Sequence, residues 1–164
     1  MTKEEIYKYL DDNNIWYEIT NHKAVYNMEE LKDITFPYQN ADGKNLFVRD
    51  DKKRNYYLIT VKGDKRVDLK EFKNNNNNLR PLTFASEEDL MNIMNLTRGS
   101  VTPLGLLNDK DLKVKFYLDE SFMEEPKIIG VHPNDNTATL WIKADDLINI
   151  IKKHGNLVTI VSIK

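Results

Sequence analysis

The sequence predicts an α+β fold: one domain over residues 1–164, with a curved, barrel-like, mostly antiparallel sheet flanked by short helices. Two observations lead there. Many short apolar runs rich in β-branched and aromatic residues are mixed with several short, capped helical patterns. Strand–helix–strand units do not alternate regularly enough for a doubly wound parallel sheet. No internal repeat and no second hydrophobic unit divides the chain.

The elements follow in order. Thr2 with Glu5 has the spacing of a capping box, and Ile6 and Leu10 give the i, i+4 apolar face of a first helix. IWYEIT, 15 to 20, reads as a strand. Asn27 with Glu30 signals a second cap and a short helix through Leu31. NLFVRD (45–50) and NYYLITVK (55–62) flank the polar DKKR and predict a hairpin. Val67 to Phe72 suggests a helical turn, and the asparagine run 74–78 a surface loop. LTFAS (82–86) is a short strand. Ser86 with Asp89 caps the helix EEDLMNIMNL, whose buried face should be Leu90, Met91, Ile93 and Met94. A loop rich in glycine and small residues, LTRGSVTPLGLLND (96–109), comes next. LKVKFYLD (112–119) alternates with period two and reads as a half-buried strand. KIIGVHP and TATLWIK predict an antiparallel pair around PNDN. Asp145 or Asp146 opens a helix that Gly155 ends, and LVTIVSIK is a final β-branched strand.

Composition removes several chemistries. A chain of 164 residues can bury a working core, since a domain near this size hides roughly 70% of its unfolded surface. It has no cysteine, which excludes disulfides, thiolate nucleophiles and Cys-ligated metal centres, and suits a reducing compartment. The charged, amphipathic MTKEEIYKYL is not a signal peptide, and no run reaches the roughly 18 apolar residues of a membrane span. A soluble, cytoplasmic protein is expected. With 24 basic and 26 acidic residues, contact with nucleic acid would need a local basic patch.

Motif by motif, the residues leave both functional and ordinary readings open. His22, His132 and His154 show no i, i+4 pairing and no HExxH, so no metal site is expected. His154 suits the last turn of a helix, where cations meet the negative end of its dipole. GxxxxGK[ST], GxGxxG and GxSxG are absent. GSVTPLG could turn backbone N–H groups toward an anion or carbonyl, or be a plain turn. Lys44, where a turn enters an apolar strand, could bind phosphate or a carbonyl as a point charge, or be a solvated strand-end lysine. His132 precedes a proline turn and could equally bond local backbone. Asn134 to Thr137 alone would be an ordinary hairpin turn.

Taken in order, HKAVYNMEEL, KNLFVRD, KRVDLKEF, LTFASEEDLMNIMNLTRGSVTPLGLLND, VHPNDNTATLWI and a helix ending KKHGN resemble the YbaK/prolyl-tRNA-synthetase-associated editing family, in its free-standing ProX-type branch. The resemblance runs from about residue 15 to the C-terminus. It implies a mixed α/β editing-domain fold with a curved, barrel-like sheet, and a trans-editing aminoacyl-tRNA deacylase that hydrolyses mischarged tRNA(Pro), mostly Ala-tRNA(Pro). It implies Lys44 as the functional lysine, with Gly99 and Ser100 of the loop beside it as catalytic residues. Asn45, Pro103, Gly105, His132, Asn136 and Thr137 are implied as substrate-binding. Leu31, Phe47 and Val131 flank the matched motifs and are candidates for an amino-acid pocket, or ordinary core. Arg49, with Lys52, Lys53 and Arg54 after it, and Arg80 are candidates for tRNA phosphate contact, or solvated surface charge. The implied partners are the acceptor end of misacylated tRNA and, transiently, prolyl-tRNA synthetase, with no membrane. No metal or organic cofactor is implied. Removal of Cys-tRNA(Pro) or another small misacyl group, and a non-catalytic module binding tRNA or an amino acid, are the competing readings. Oligomeric state is left open.

Overall fold

The structure, a computed structural model, describes residues 1–24, 36–38, 40–63 and 65–163. The cap signal at Asn27 and Glu30, and Leu31, lie outside the described residues. Helix α1 (Lys3–Asp12) opens with the capping box: Glu5 N–H donates to Thr2 Oγ1 at 3.2 Å, and Thr2 N–H to Glu5 Oε1 at 3.0 Å. Ile6 and Leu10 bury one stripe of it. Strand β1 (Tyr17–Asn21) follows.

Strands β2 (Gly43–Asp50) and β3 (Tyr56–Lys62) form the expected hairpin. Asp50 organises its turn. The buried carboxylate accepts from Lys52 N–H at 3.1 Å, Arg54 N–H at 3.0 Å and Asn55 Nδ2 at 2.8 Å. Burial pushes this carboxyl up, and the three donors outweigh it, so it sits below the ordinary aspartate range. Helix α2 (Leu69–Asn75) is capped by Asp68. The asparagine run ends this helix rather than lying wholly in a loop. Asn77 and Asn78 take φ of 67° and 51°, a left-handed conformation that asparagine tolerates.

Strand β4 (Leu82–Phe84) leads to α3 (Glu87–Met94), where Ser86 Oγ accepts from Asp89 N–H at 3.0 Å. Leu90, Ile93 and Met94 are buried, but Met91 is 44% exposed. The expected four-residue face is therefore narrower, because a helix of eight residues, about two turns, meets the core along a single stripe. Short 3₁₀ turns at Arg98–Ser100 and Pro103–Asn108 precede β5 (Val114–Asp119). After a 3₁₀ turn at Glu120–Met123 come β6 (Ile128–Val131), β7 (Ala138–Lys143), α4 (Ala144–His154) and β8 (Val158–Val161). Helix α4 starts one residue before the expected aspartates. Asp145 and Asp146 lie in its first turn, where acids suit the helix dipole, and Gly155 ends it at φ 120°.

Two sheets result. One has the order β1-β7-β6, all antiparallel; the other has the order β4-β2-β3-β5-β8. In the second, β2 pairs antiparallel with β3 and β4, while β3–β5 and β5–β8 are parallel. The parallel pairs correct the half-buried reading of 112–119. Strand β5 is an interior strand, with β3 and β8 beside it and apolar clusters on both faces, so Phe116, Tyr117 and Leu118 are all buried in succession. The sheets are not closed into a barrel. They meet where the chain before β2 bridges β6: Asp42 pairs with Gly130, and Gly130 N–H donates to Ala41 O at 2.8 Å.

The main core fills the space between the sheets and the helices, with Phe47, Leu58, Phe116, Leu140 and Ile151 among its members. A second cluster of Leu46, Val48, Ile59, Tyr117 and Phe72 covers the other face of the five-stranded sheet. Gly130 is required at the junction. A Cβ there would lie 2.5 Å from Trp141 Cζ3, inside a fully buried indole. Gly130→Ala is expected to cost about 1–3 kcal/mol through overpacking. Each kcal/mol should lower Tm by roughly 2–4 °C in a chain of this size, read by thermal unfolding. An unchanged Tm would show that the indole moves aside freely.

Candidate functional site

Strand alternation sorts the residues at the mouth of β2. Lys44, Leu46 and Val48 share one face, and Gly43, Asn45 and Phe47 the other. The side chain of β2 that reaches the GSVTPLG loop is Asn45, whose Nδ2 donates to Val101 O at 3.1 Å. Its own carbonyl oxygen accepts from Thr60 Oγ1 at 2.5 Å, directly across the hairpin. The amide therefore has a fixed orientation, with nitrogen toward the loop.

The loop is a rigid double turn. Ser100 is buried and its N–H donates to Thr97 O at 3.0 Å; Gly105 N–H donates to Thr102 O at 3.1 Å. Pro103 opens the second turn, and Thr102, with no exposed surface, fixes it. Thr102 Oγ1 accepts from Leu104 N–H at 3.3 Å and donates to His132 O at 2.6 Å. One hydroxyl thus ties the loop to the end of β6. The N–H groups of Ser100, Leu104 and Gly105 are committed to the turns. Gly105 is also a packing requirement: a Cβ would lie 2.4 Å from Leu96 Cδ1 and 2.9 Å from Met94 Cε.

His132 faces the same junction. Its Nδ1 lies 3.1 Å from Ala138 O, which can only accept, so Nδ1 carries the proton and Nε2 keeps its lone pair in the neutral ring. Burial holds its pKa below the ordinary histidine value, the contact with Ala138 raises it, and His22 lowers it. Burial, the largest of these effects, favours the neutral ring. His22 packs beside it with ring centroids 6.4 Å apart, and pairs its Nε2 with Thr139 Oγ1 at 2.9 Å. In the turn that follows, Asp135 accepts from Thr137 N–H at 2.7 Å and from the Thr137 hydroxyl. Thr137 O accepts from His22 N–H at 2.9 Å, and Asn136, between Asp135 and Thr137 in sequence, is half-buried. Among the described residues, no three His, Asp or Glu side chains converge as a metal site.

Lys44 lies on the opposite side of β2 from this assembly, and its Nζ donates to Lys65 O at 3.3 Å. Phe47, stacked on Tyr56, and Val131 are packed in the main core. Arg49 lies at the far end of β2, five residues and about 17 Å from Lys44 at strand rise, and Arg80 is held to Asp51 just beyond that end. Arg49 Nη1 donates to Asp50 O at 3.0 Å, and Arg80 grips Asp51 with Nε at 2.6 Å and Nη2 at 3.0 Å. Lys52, Lys53 and Arg54 are exposed on the hairpin turn between them.

Sequence reasoning singled out neither Thr60 nor Gly130, and weighed His22 only as a metal ligand. Thr60 had a signal: it is the polar residue within the apolar run YYLITV. Gly130 had one too, since glycine inside a strand marks a close approach of another group.

The comparisons agree with this architecture. Residues 22–150 match the model of the aminoacyl-tRNA editing domain family. The chain is 36% identical over 154 residues to the prolyl-tRNA editing protein ProX of Acetoanaerobium sticklandii, covering 94% of this chain and 93% of that one. It is 34% identical over 144 residues to the prolyl-tRNA synthetase associated domain-containing protein 1 of Mus musculus, covering 85% and 83%. A solved structure described as that of a proposed trans-editing enzyme for prolyl tRNA synthetase superposes with a TM-score of 0.72 at 17% identity, over 99% of this chain and 96% of that one. The match to the family model over residues 22–150, with 36% identity to a relative over 94% of the chain, means that the chain belongs to the aminoacyl-tRNA editing domain family.

Proposed function

We propose that this chain is a trans-editing deacylase of mischarged tRNA(Pro), with Ala-tRNA(Pro) as its substrate. It is a hydrolase acting on mischarged aminoacyl-tRNA, in keeping with its family. The observation that carries the reading is the junction of β2, the loop and β6. Asn45 to Val101, Thr102 to His132 and Thr60 to Asn45 lock three backbone segments around one point.

An aminoacyl ester is already activated, so no covalent intermediate is needed. The site has to hold the 3′-terminal aminoacyl-adenosine, position water and stabilise the oxyanion. A donor fixed where that charge develops contributes about 2.7–4 kcal/mol. With three loop N–H groups committed internally and Thr102 fully buried, the Gly99 and Val101 N–H groups are the loop donors assigned to the carbonyl. Gly99 and Ser100 shape that turn and keep it close to the substrate. His132, neutral and with Nε2 an acceptor, orients the substrate within the pocket, and Asn136 and Thr137 border it. Lys44, on the other side of β2, is assigned to the terminal phosphate rather than to the ester carbonyl. The 2′-hydroxyl of the terminal ribose assists proton transfer. The work is placed in the cytoplasm, with prolyl-tRNA synthetase as a transient partner.

Selectivity rests on size. One methylene in an apolar pocket discriminates by only about 1–3 kcal/mol, so a synthetase leaks smaller amino acids. A second sieve that admits alanine and excludes proline corrects this. The test is a panel of Ala-, Cys-, Ser- and Pro-tRNA(Pro), followed by ester loss. Fastest loss from Ala-tRNA(Pro) and none from Pro-tRNA(Pro) is expected. Preference for Cys-tRNA(Pro) would reassign the substrate.

Arg49 and Arg80 are assigned to phosphates further along the acceptor, Arg80 by exchanging Asp51 for phosphate. With two or three such contacts including Lys44, log(kcat/KM) against log[salt] should fall with a slope of about −2 to −3. A flat response would remove the arginines from the tRNA interface.

A further inference from the structure

We propose that Lys65 and Asp119 are positioning residues that aim the ammonium of Lys44. The inference rests on the reading of Lys44 as a substrate phosphate ligand. Lys44 is held through a backbone carbonyl, Lys65 O, at 3.3 Å. That carbonyl lies on a segment beyond the end of β3 with little regular structure of its own. The Lys65 side chain pins the segment. Its ammonium meets Asp119 Oδ2 at 2.8 Å, Ser121 Oγ at 2.8 Å and Ile163 O at 2.9 Å, which uses all three of its N–H bonds.

Asp119 is the buried end of this chain, with no exposed surface at the terminus of β5. It also accepts from Lys62 N–H at 3.1 Å and Ser121 N–H at 3.0 Å. The end of β3, the end of β5, the following 3₁₀ turn and the C-terminal tail thus converge on Lys65. Its carbonyl is the fixed point against which Lys44 rests.

Charge explains the arrangement. Among the described residues no carboxylate forms an ion pair with Lys44. The acid in this network is matched to Lys65, one step away. A carboxylate directly on Lys44 would compete with phosphate for the ammonium. A neutral carbonyl fixes one N–H bond of Lys44 and leaves two for a phosphate oxygen, with no carboxylate among the described residues ion-paired to it. Pre-aiming a flexible lysine removes part of the ordering cost that binding would otherwise meet.

The test is a double-mutant cycle on Ala-tRNA(Pro) deacylation. The pair is removed together as Lys65→Met with Asp119→Asn, so that no buried carboxylate is left unpaired. The combined variant is measured in the wild-type and Lys44→Ala backgrounds, with far-ultraviolet circular dichroism and Tm to confirm folding. A roughly tenfold loss of kcat/KM in the wild-type background, and none beyond that of Lys44→Ala in the other, is expected. An equal fold-loss in both backgrounds, or no loss in the first, overturns the positioning role. Should the combined variant not fold, Ser121→Ala, which removes one acceptor only, takes its place with a smaller loss and the same background dependence. Full activity of Lys44→Ala would overturn the reading of Lys44 itself, and so separates the two failures.

Discussion

Lys44→Ala is expected to lower kcat/KM for Ala-tRNA(Pro) about 100-fold or more, while Tm moves by no more than a degree or two. The side chain is half-buried at the open end of β2, and its structural contact is a single hydrogen bond at 3.3 Å to a carbonyl that water can replace. Its loss leaves no buried polar group unpaired, so stability should hold. Activity should not, because a charge-assisted bond to phosphate contributes about 1.5–3 kcal/mol directly. Misplacement of the ester at the loop adds further loss, since small displacements of a reacting group are costly. Deacylation and thermal unfolding of the same preparation check both halves. Near-normal turnover with intact fold would remove Lys44 from the site.

The second large effect is at Gly105. Replacement by valine should destabilise the chain by several kcal/mol and lower deacylation at least tenfold, whereas Ser100→Ala should change activity only a few-fold. The contrast follows from packing. A Cβ at Gly105 already penetrates Leu96 and Met94, and two further methyl groups would displace the turn from β6. Overpacking of this kind costs about 1–3 kcal/mol for modest insertions, and more where neighbours are buried on all sides. Leu96 and Met94 are both buried in the main core. The loop's assigned role belongs to its backbone, so removal of one hydroxyl is the milder change. Deacylation rates of the two variants at a temperature well below both Tm values decide it. A larger loss for Ser100→Ala than for Gly105→Val would assign the chemistry to the hydroxyl.

Local chemistry was legible in the sequence because local rules govern it. The capping box at Thr2 and Glu5, the Ser86 cap and the stop at Gly155 are where the spacing predicts them. The β2–β3 hairpin and the β6–β7 pair follow from apolar runs around polar turns. What escaped depends on long-range contact. The period of 112–119 says that a strand forms, but not that β3 and β8 flank it in parallel, which is why its half-burial was misjudged. Met91 looks like Met94 in sequence, and only the direction of the core tells them apart.

The candidate site shows the same division. Resemblance supplied Lys44, Asn45, the loop and His132 as one set. The alternation of β2 then separates Lys44 from Asn45 on two sides of a strand, which is why the proposal gives the phosphate to one and the ester to the other. Thr60 stands out in sequence as a polar residue in an apolar run, but what it and Thr102 hold, the amide and the loop, depends on partners distant in sequence.

The most direct measurement is ester loss from Ala-tRNA(Pro) in the presence of the protein at about one-hundredth of the substrate concentration. Many turnovers per molecule, with Pro-tRNA(Pro) left intact under the same conditions, is the result that the proposed editing activity predicts. Binding of Ala-tRNA(Pro) with no ester loss above the buffer rate would contradict it, and would make the chain a tRNA-binding module instead.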